Sequence, residues 1–363
     1  MARPHAAALI EDAWHRQLTG ALQARGWSTR AIAHTGYGTE DFVRVLGRVV
    51  MTRPPEDGQD GQDEQDGHLG QDDVLSADAP APLRAEQEVR GWRAFITAQA
   101  MYQPVVVTVN GRRYATQTDR SGYVDLVVER HGLDPGWHQV GIEPRDGQEV
   151  TAAVTVVDPS VRFGLVSDID DTVITTSLPR PMIAAWNTFV LHEQARHIVP
   201  GMAPLYRQLL ADNPGAPIFY LSTGAWNTAA TLTRFLDRHG YPAGPLLLTD
   251  WGPTNTGWFR SGQDHKRENL HRLAREFPRI GWVLVGDDGQ HDPRLYTDFA
   301  RDRPDVVRAI GIRELSAAEQ VLSHGLPVSN EELMPRVHRE VPMVRAPDGY
   351  GLLPQLRAIL NRA

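Results

Sequence analysis

From about residue 160 onward the hydrophobic pattern changes period, and that change limits the possible folds more than any other feature of the chain. Five compact apolar segments appear: VRFGLVS (161–167), APIFYLS (216–222), GPLLLT (244–249), IGWVLVG (280–286) and VVRAIGI (306–312). Each has the length of a strand buried on both faces. Helical patterns separate several of them. Met202, Leu205, Tyr206, Leu209 and Leu210 recur at i, i+3, i+4, i+7 and i+8, and Leu270, Leu273 and Phe277 at i, i+3 and i+7. Buried strands alternating with amphipathic helices predict an α/β unit, a parallel sheet with helices on both faces. In such sheets ligands bind beyond the carboxyl ends of the strands. The polar residues that follow each apolar run are therefore the ones to read for chemistry.

The first half of the chain reads differently. Residues 4–25 place Ala8, Leu9, Trp14, Leu18 and Leu22 at helical spacing. This predicts an amphipathic helix within 1–30, one that packs on its own domain in preference to a membrane surface. FVRVLGRVVM (42–51) reads as a strand, and residues 88–157 as a series of short strands divided by turns, with Asn110-Gly111 a strong hairpin signal. Together they predict a small antiparallel β-sandwich over 40–158, ahead of an α/β domain over 159–363. Between the first two strands lies EDGQDGQDEQDGHLGQDD (56–73), with eight acids and no Lys or Arg. Such a tract cannot bury enough apolar surface to order itself, so 54–83 is expected to be a disordered acidic insertion. Those eight acids account for the whole net charge of −8. The remainder is balanced and offers no basic field for nucleic acid. No apolar run approaches the roughly 18 residues of a membrane span, and Glu11 and Asp12 spoil the N-terminus as a signal peptide. The absence of cysteine excludes disulfides, thiolate catalysis and zinc–cysteine sites, and fits a cytoplasmic protein.

The strand ends carry a consistent set of groups. The first ends in Asp168-Ile169-Asp170-Asp171-Thr172, the second in Ser222-Thr223-Gly224, and a later one in Gly286-Asp287-Asp288-Gly289 with Asp292 following. Crowded carboxylates are expensive to desolvate unless a cation or a proton compensates. Of the 37 basic residues only one is a lysine, Lys266, and it lies between the second and third of these clusters. Carboxylates, a hydroxyl and an ammonium at one sheet edge suit phosphoryl transfer. One carboxylate can attack phosphorus, a second can move the leaving-group proton, and donors can hold the phosphate oxygens. A hard cation such as Mg²⁺ is held by one or two carboxylates plus phosphate and water.

Asp168-x-Asp170-x-Thr172, Ser222, Lys266 and Gly286-Asp287-x-x-x-x-Asp292 resemble, in order and spacing, the four motifs of the haloacid-dehalogenase (HAD) superfamily. More narrowly, SDIDDTVITT, FYLSTGAWN, LTDWG, DHKRENL and LVGDDGQHDP resemble the actin-patch phosphatidate phosphatase family, distant kin of the lipins, over about 160–315. The resemblance implies a HAD-like Rossmannoid sheet and a Mg²⁺-dependent phosphatase acting on phosphatidate at a membrane surface, by peripheral contact. It implies that Asp168 is nucleophile and metal ligand. Asp170 would be general acid/base, offering its backbone carbonyl to the metal, and Asp287 would complete the metal site with Asp288 or Asp292 as helper. Thr172, Ser222, Thr223, Gly224 and Lys266 would bind the substrate phosphate or shape its loop, Ser222 and Lys266 also serving catalysis. A small polar residue is expected at position 288, so an acid there is a departure. Two alternatives stay open: another phosphomonoester as substrate, or a module that senses phosphatidate without cleaving it.

Other residues near the motifs have plainer readings. Asp171 suits a turn contact, and Arg260 and His265 suit scaffold or surface. Trp226, Trp251 and Trp258 could meet acyl chains but suit packing better. Residues 177–200 form a long connection that either caps the site or packs as a buried helix.

Overall fold

The computed structural model describes residues 24–52, 98–175, 197–249, 262–289, 291–316, 319–320 and 341–362. Most of the expected N-terminal helix, the acidic insertion, residues 177–196 of the connection, Arg260, Trp251 and Trp258 lie outside the described residues.

The β-rich half contains β1 (Ser28–Gly38), β2 (Phe42–Thr52), β3 (Ala98–Gln99), β4 (Pro104–Val109), β5 (Arg112–Gln117), β6 (Tyr123–Glu129), β7 (Gly136–Pro144) and β8 (Val150–Val156). The expected sandwich of two stacked sheets is corrected here. The eight strands form one sheet in the order β3-β2-β1-β8-β7-β4-β5, with β6 also paired to β2. All described pairings are antiparallel except β1 with β8. The long strand β2 pairs with β1 along one side and with β6 and β3 along the other, so the sheet curls toward a barrel instead of splitting into layers. A register shift between His34 and Tyr37 sharpens the curl. Gly36 sits in that bulge, where a Cβ would collide with the Arg44 carbonyl oxygen. Alternating residues fill the interior, among them Val43, Val45, Val49, Val105, Val107, Val124, Ile142 and Val154. At the β4–β5 hairpin, Asn110 and Gly111 both take positive φ, 47° and 72°, as a two-residue turn of this type requires. β1 begins ahead of residue 40, where the sequence pattern places the start of the β unit. The short, glycine-interrupted HTGYG end of that strand lacks a clear alternation.

The second half contains β9 (Phe163–Asp168), β10 (Ile174–Thr175), β11 (His197–Ile198), α1 (Met202–Ala211), β12 (Ile218–Ala225), α2 (Ala229–Arg238) and β13 (Leu246–Thr249). It continues with α3 (Gly262–Glu276), β14 (Gly281–Asp287), α4 (Asp292–Asp302), β15 (Val307–Arg313), β16 (Met343–Ala346) and α5 (Gly349–Leu360). All five strands expected from the apolar segments are present. They join β16 in a parallel sheet ordered β13-β12-β9-β14-β15-β16. Ranked by sequence this is 3-2-1-4-5-6, a doubly wound order that reverses between β9 and β14. Helices cover both faces. Phe163 and Leu165 pack with α1, α2 and α5, while Val166 packs with α3 and α4. The second of these cores also takes in Tyr37, Leu46 and Val157 from the curled sheet, so the two halves share apolar packing.

Candidate active site

The winding reversal places the ends of β9 and β14 side by side, and each ends in a buried aspartate: Asp168 and Asp287. Beyond Asp168 the chain turns sharply. The amides of Val173 and Ile174 both donate to Ile169 O, at 2.9 and 3.1 Å, and Asp171 N donates to Ile174 O at 2.8 Å. Asp171 adopts φ 56°, a left-handed conformation uncommon outside glycine and short polar residues. The turn brings Thr172 back under the cluster, its Oγ1 3.4 Å from both Asp168 Oδ2 and Asp287 Oδ2.

Lys266, in the first turns of α3, reaches between two acids. Its Nζ lies 2.7 Å from Asp168 Oδ1 and 2.7 Å from Asp292 Oδ1, and all three side chains are buried. Asp292, the first residue of α4, joins Asp168 and Asp287 in a triad whose carboxylate oxygens lie within 4.8 Å of one another. One ammonium thus faces three buried carboxylates. Burial pushes the Asp168 carboxyl well above the usual range; Lys266 opposes this, while Asp292 and Asp170 add to it. Asp287 is likewise raised by burial, then by Asp292 and Asp168. For Lys266 burial works against the charge, yet Asp168 and Asp292 overcome it and hold the ammonium protonated. The donor set fits a hard divalent cation: all ligating atoms are oxygens, negative charge exceeds positive, and Asp292 Oδ2 is buried with no hydrogen-bond partner.

Beside the triad, Ser222 Oγ donates to Asp170 Oδ2 at 2.8 Å and accepts from Gly224 N at 2.9 Å. Thr223 holds the end of β12 to β13 through its carbonyl, which accepts from Thr249 Oγ1 at 3.0 Å. The side chain of Asp170 therefore turns to Ser222, and the carboxylate that completes the triad belongs to Asp292. Asp288 faces away. Leu315 N donates to its Oδ1 at 2.8 Å and Arg345 lies 3.9 Å from its Oδ2, so the unusual acid secures the β15 end. His265 shares its helix turn with Lys266 but points to Leu247 O, 3.3 Å away. Trp226, just past β12, stacks on His34 at 4.5 Å and lies 5.6 Å from Tyr123, lining a cavity of about 600 Å³ between the two halves. Sequence reasoning gave Arg313 no role. It is buried at the end of β15 and donates to Asp171 O at 2.7 Å. An arginine ending a strand whose neighbour ends in acids was the available signal.

With this geometry in view, comparison with known proteins gives one family. Residues 163–314 match the model of the phosphatidate phosphatase APP1 catalytic domain. The resemblance is to APP1. The phosphatidate phosphatase APP1 of Saccharomyces cerevisiae is 30% identical over 171 residues, 47% of this chain and 29% of that protein. An uncharacterized protein of Schizosaccharomyces pombe is 24% identical over 154 residues, 42% of this chain and 25% of its own length. The chain thus spans less than a third of the length of these curated relatives. Among solved structures, a carbohydrate acetylesterase from Xanthomonas citri aligns over 82% of this chain and 72% of its own at 9% identity and a TM-score of 0.26, too slight a likeness to bear on the fold. The APP1-like segment contains Asp168, Asp170, Thr172, Ser222, Lys266, Asp287, Asp292 and Arg313.

Proposed function

We propose that the chain is a Mg²⁺-dependent phosphomonoester hydrolase of the HAD type, working through a phospho-aspartate on Asp168, with phosphatidate as substrate and diacylglycerol and phosphate as products. The observation that carries this is the buried cluster at the winding reversal: three carboxylates, one lysine, and a Ser222–Asp170 pair beside them, within the segment that resembles APP1.

Asp168 attacks phosphorus, and the bond to the lipid oxygen breaks. Asp170, held by Ser222, gives its proton to that oxygen; it then takes a proton from the water that opens the acyl phosphate. Ser222 Oγ and the Gly224 backbone lie at the end of β12, where hydrogen-bond donors can meet the phosphate oxygens. Lys266 is already charged against Asp168 and offsets the negative charge of the phosphoryl group that becomes joined there. Asp168, Asp287 and Asp292 would hold the metal, with the Asp170 carbonyl; when bound, Mg²⁺ supplies charge neutralisation between two anions that would otherwise repel. No helix among the described residues is long and apolar enough to cross a membrane; the contact with the lipid proposed here is peripheral.

The test is phosphate release from phosphatidate in mixed micelles, with Mg²⁺ and then with EDTA, beside a water-soluble aryl phosphate. Mg²⁺-dependent release that favours phosphatidate supports the reading. Release from the aryl phosphate alone keeps the active site and discards the lipid. Vesicle binding with no release from either substrate transfers the chain to a lipid-sensing role. Asp168→Asn should abolish turnover in a folded protein.

A further inference from the structure

We infer that Arg313 is a positioning residue: it clamps the turn that follows β9 and thereby fixes where Asp170 and Thr172 stand. The inference rests on the phosphatase reading for its kinetic consequence but not for its structural one. Arg313 ends β15, two strands from β9, and is 5% exposed. A guanidinium so buried requires acceptors for its fork of N–H donors. It finds them on three separate stretches of chain. Nη1 donates to Asp171 O at 2.7 Å, Nη2 to Glu319 Oε1 at 2.6 Å, and Nε to Pro347 O at 3.3 Å. Glu319 is itself fixed, since its Oε2 accepts from both Ser316 N and Ser316 Oγ at 2.8 Å. The cation is therefore anchored on one side and extends its other arm to the turn.

The turn needs such an anchor. Asp171 holds a positive φ, a conformation that persists where surrounding contacts over-determine it. The Asp171 carbonyl orients the peptide leading into Thr172, whose hydroxyl lies between Asp168 and Asp287. On the other side, Asp170 must face Ser222. A planar guanidinium can serve two carbonyls and a carboxylate at fixed angles, whereas a lysine ammonium is a single point charge on a flexible stem.

The experiment compares wild type, Arg313→Met and Arg313→Lys by hydrogen exchange over residues 169–175 and by turnover of a soluble aryl phosphate with Mg²⁺. In Arg313→Met, exchange at the Val173 and Ile174 amides should accelerate at least about tenfold while the β9 and β14 amides stay protected. The kcat should fall about 10- to 100-fold, the range expected for losing a charge-assisted hydrogen bond, with KM nearly unchanged. Arg313→Lys should recover part of both. Unchanged exchange in the turn, or acceleration spread evenly through the sheet, overturns the inference; so does a kcat within twofold of wild type. If wild type itself releases no phosphate, the phosphatase reading falls and the exchange measurement still decides the clamp. Should Arg313→Met fail to fold, Glu319→Gln loosens the same anchor, and its effect must again be confined to 169–175.

Discussion

Lys266 shows how much one residue can reveal. In a chain that otherwise uses arginine, a compact ammonium bridges Asp168 and Asp292. A guanidinium would need more room than two carboxylates 2.7 Å from one nitrogen allow. Lys266→Arg should therefore lose at least about 100-fold in kcat, while Lys266→Met should destabilise the metal-free protein by about 3–5 kcal/mol through uncompensated buried charge. Chemical denaturation and steady-state kinetics measure both. Asp287 predicts the opposite sign. Burial, Asp292 and Asp168 outweigh the relief that Lys266 gives its charge, and an asparagine could still accept the 2.7 Å bond from Gly289 N. Asp287→Asn should raise metal-free stability by about 1–2 kcal/mol and remove most of the stabilisation that Mg²⁺ gives wild type; thermal unfolding with Mg²⁺ and with EDTA checks it. The motif acids, Ser222 and Lys266 were legible because few chemistries need those groups at strand ends. The division of labour between Asp288 and Asp292 was not, because it depends on which way a side chain leaves a turn.

Among the elements, α3 joins the most distant parts. Its first turns carry Lys266, and its last residue, Glu276, accepts from Tyr37 Oη at 2.9 Å and from Arg44 Nη2 at 2.6 Å, both on the curled sheet. Glu276→Ala should cost about 2–3 kcal/mol, because it strips acceptors from two largely buried donors; urea unfolding reads it. A second contact between the halves sets a pH dependence. Burial, then Arg48, lowers the pKa of His34 from 6.5 to about 3 while its ring stacks on Trp226. The unfolded chain takes up that proton first, so stability falls as pH drops from about 6.5 toward 3, by roughly 2 kcal/mol at pH 5. His34→Phe keeps a ring in the stack and should flatten that slope in melting curves recorded between pH 5 and 7. The parallel strands were readable as elements because each is a closed apolar run. β1 was not, since its end is bulged and rich in glycine and one of its partners, β8, lies far along the chain.

For the molecule as a whole, the sequence predicts a β unit over 40–158 set apart from the α/β domain over 159–363. The packing of the curled sheet joins the two. Tyr37 meets Phe219 at 4.9 Å and Phe277 at 5.9 Å, and Leu46 and Val157 complete the same core. A fragment of residues 159–363 would expose that face of β12 and α3. It is expected to melt at least about 5 °C below the full chain or to aggregate, which calorimetry on the two proteins would show. Periodicity reveals which residues seek burial, but it does not say which surface will cover them. The sharing of one core by two halves is therefore beyond what a linear pattern can carry.

The position of β9 between β12 and β14 also has a temporal meaning. Thr172 and Asp287 are 115 residues apart in the chain, and they meet only once two long crossovers have closed on the central strand. Contacts of such high sequence separation form late and slowly. The negative charge gathered at that seam exceeds what Lys266 offsets, and the proposed metal would relieve the remainder. A nascent or partly folded chain thus has no assembled site for the proposed metal. The ion would act after the topology is complete, chiefly by slowing unfolding, with little effect on the rate at which the chain finds its fold.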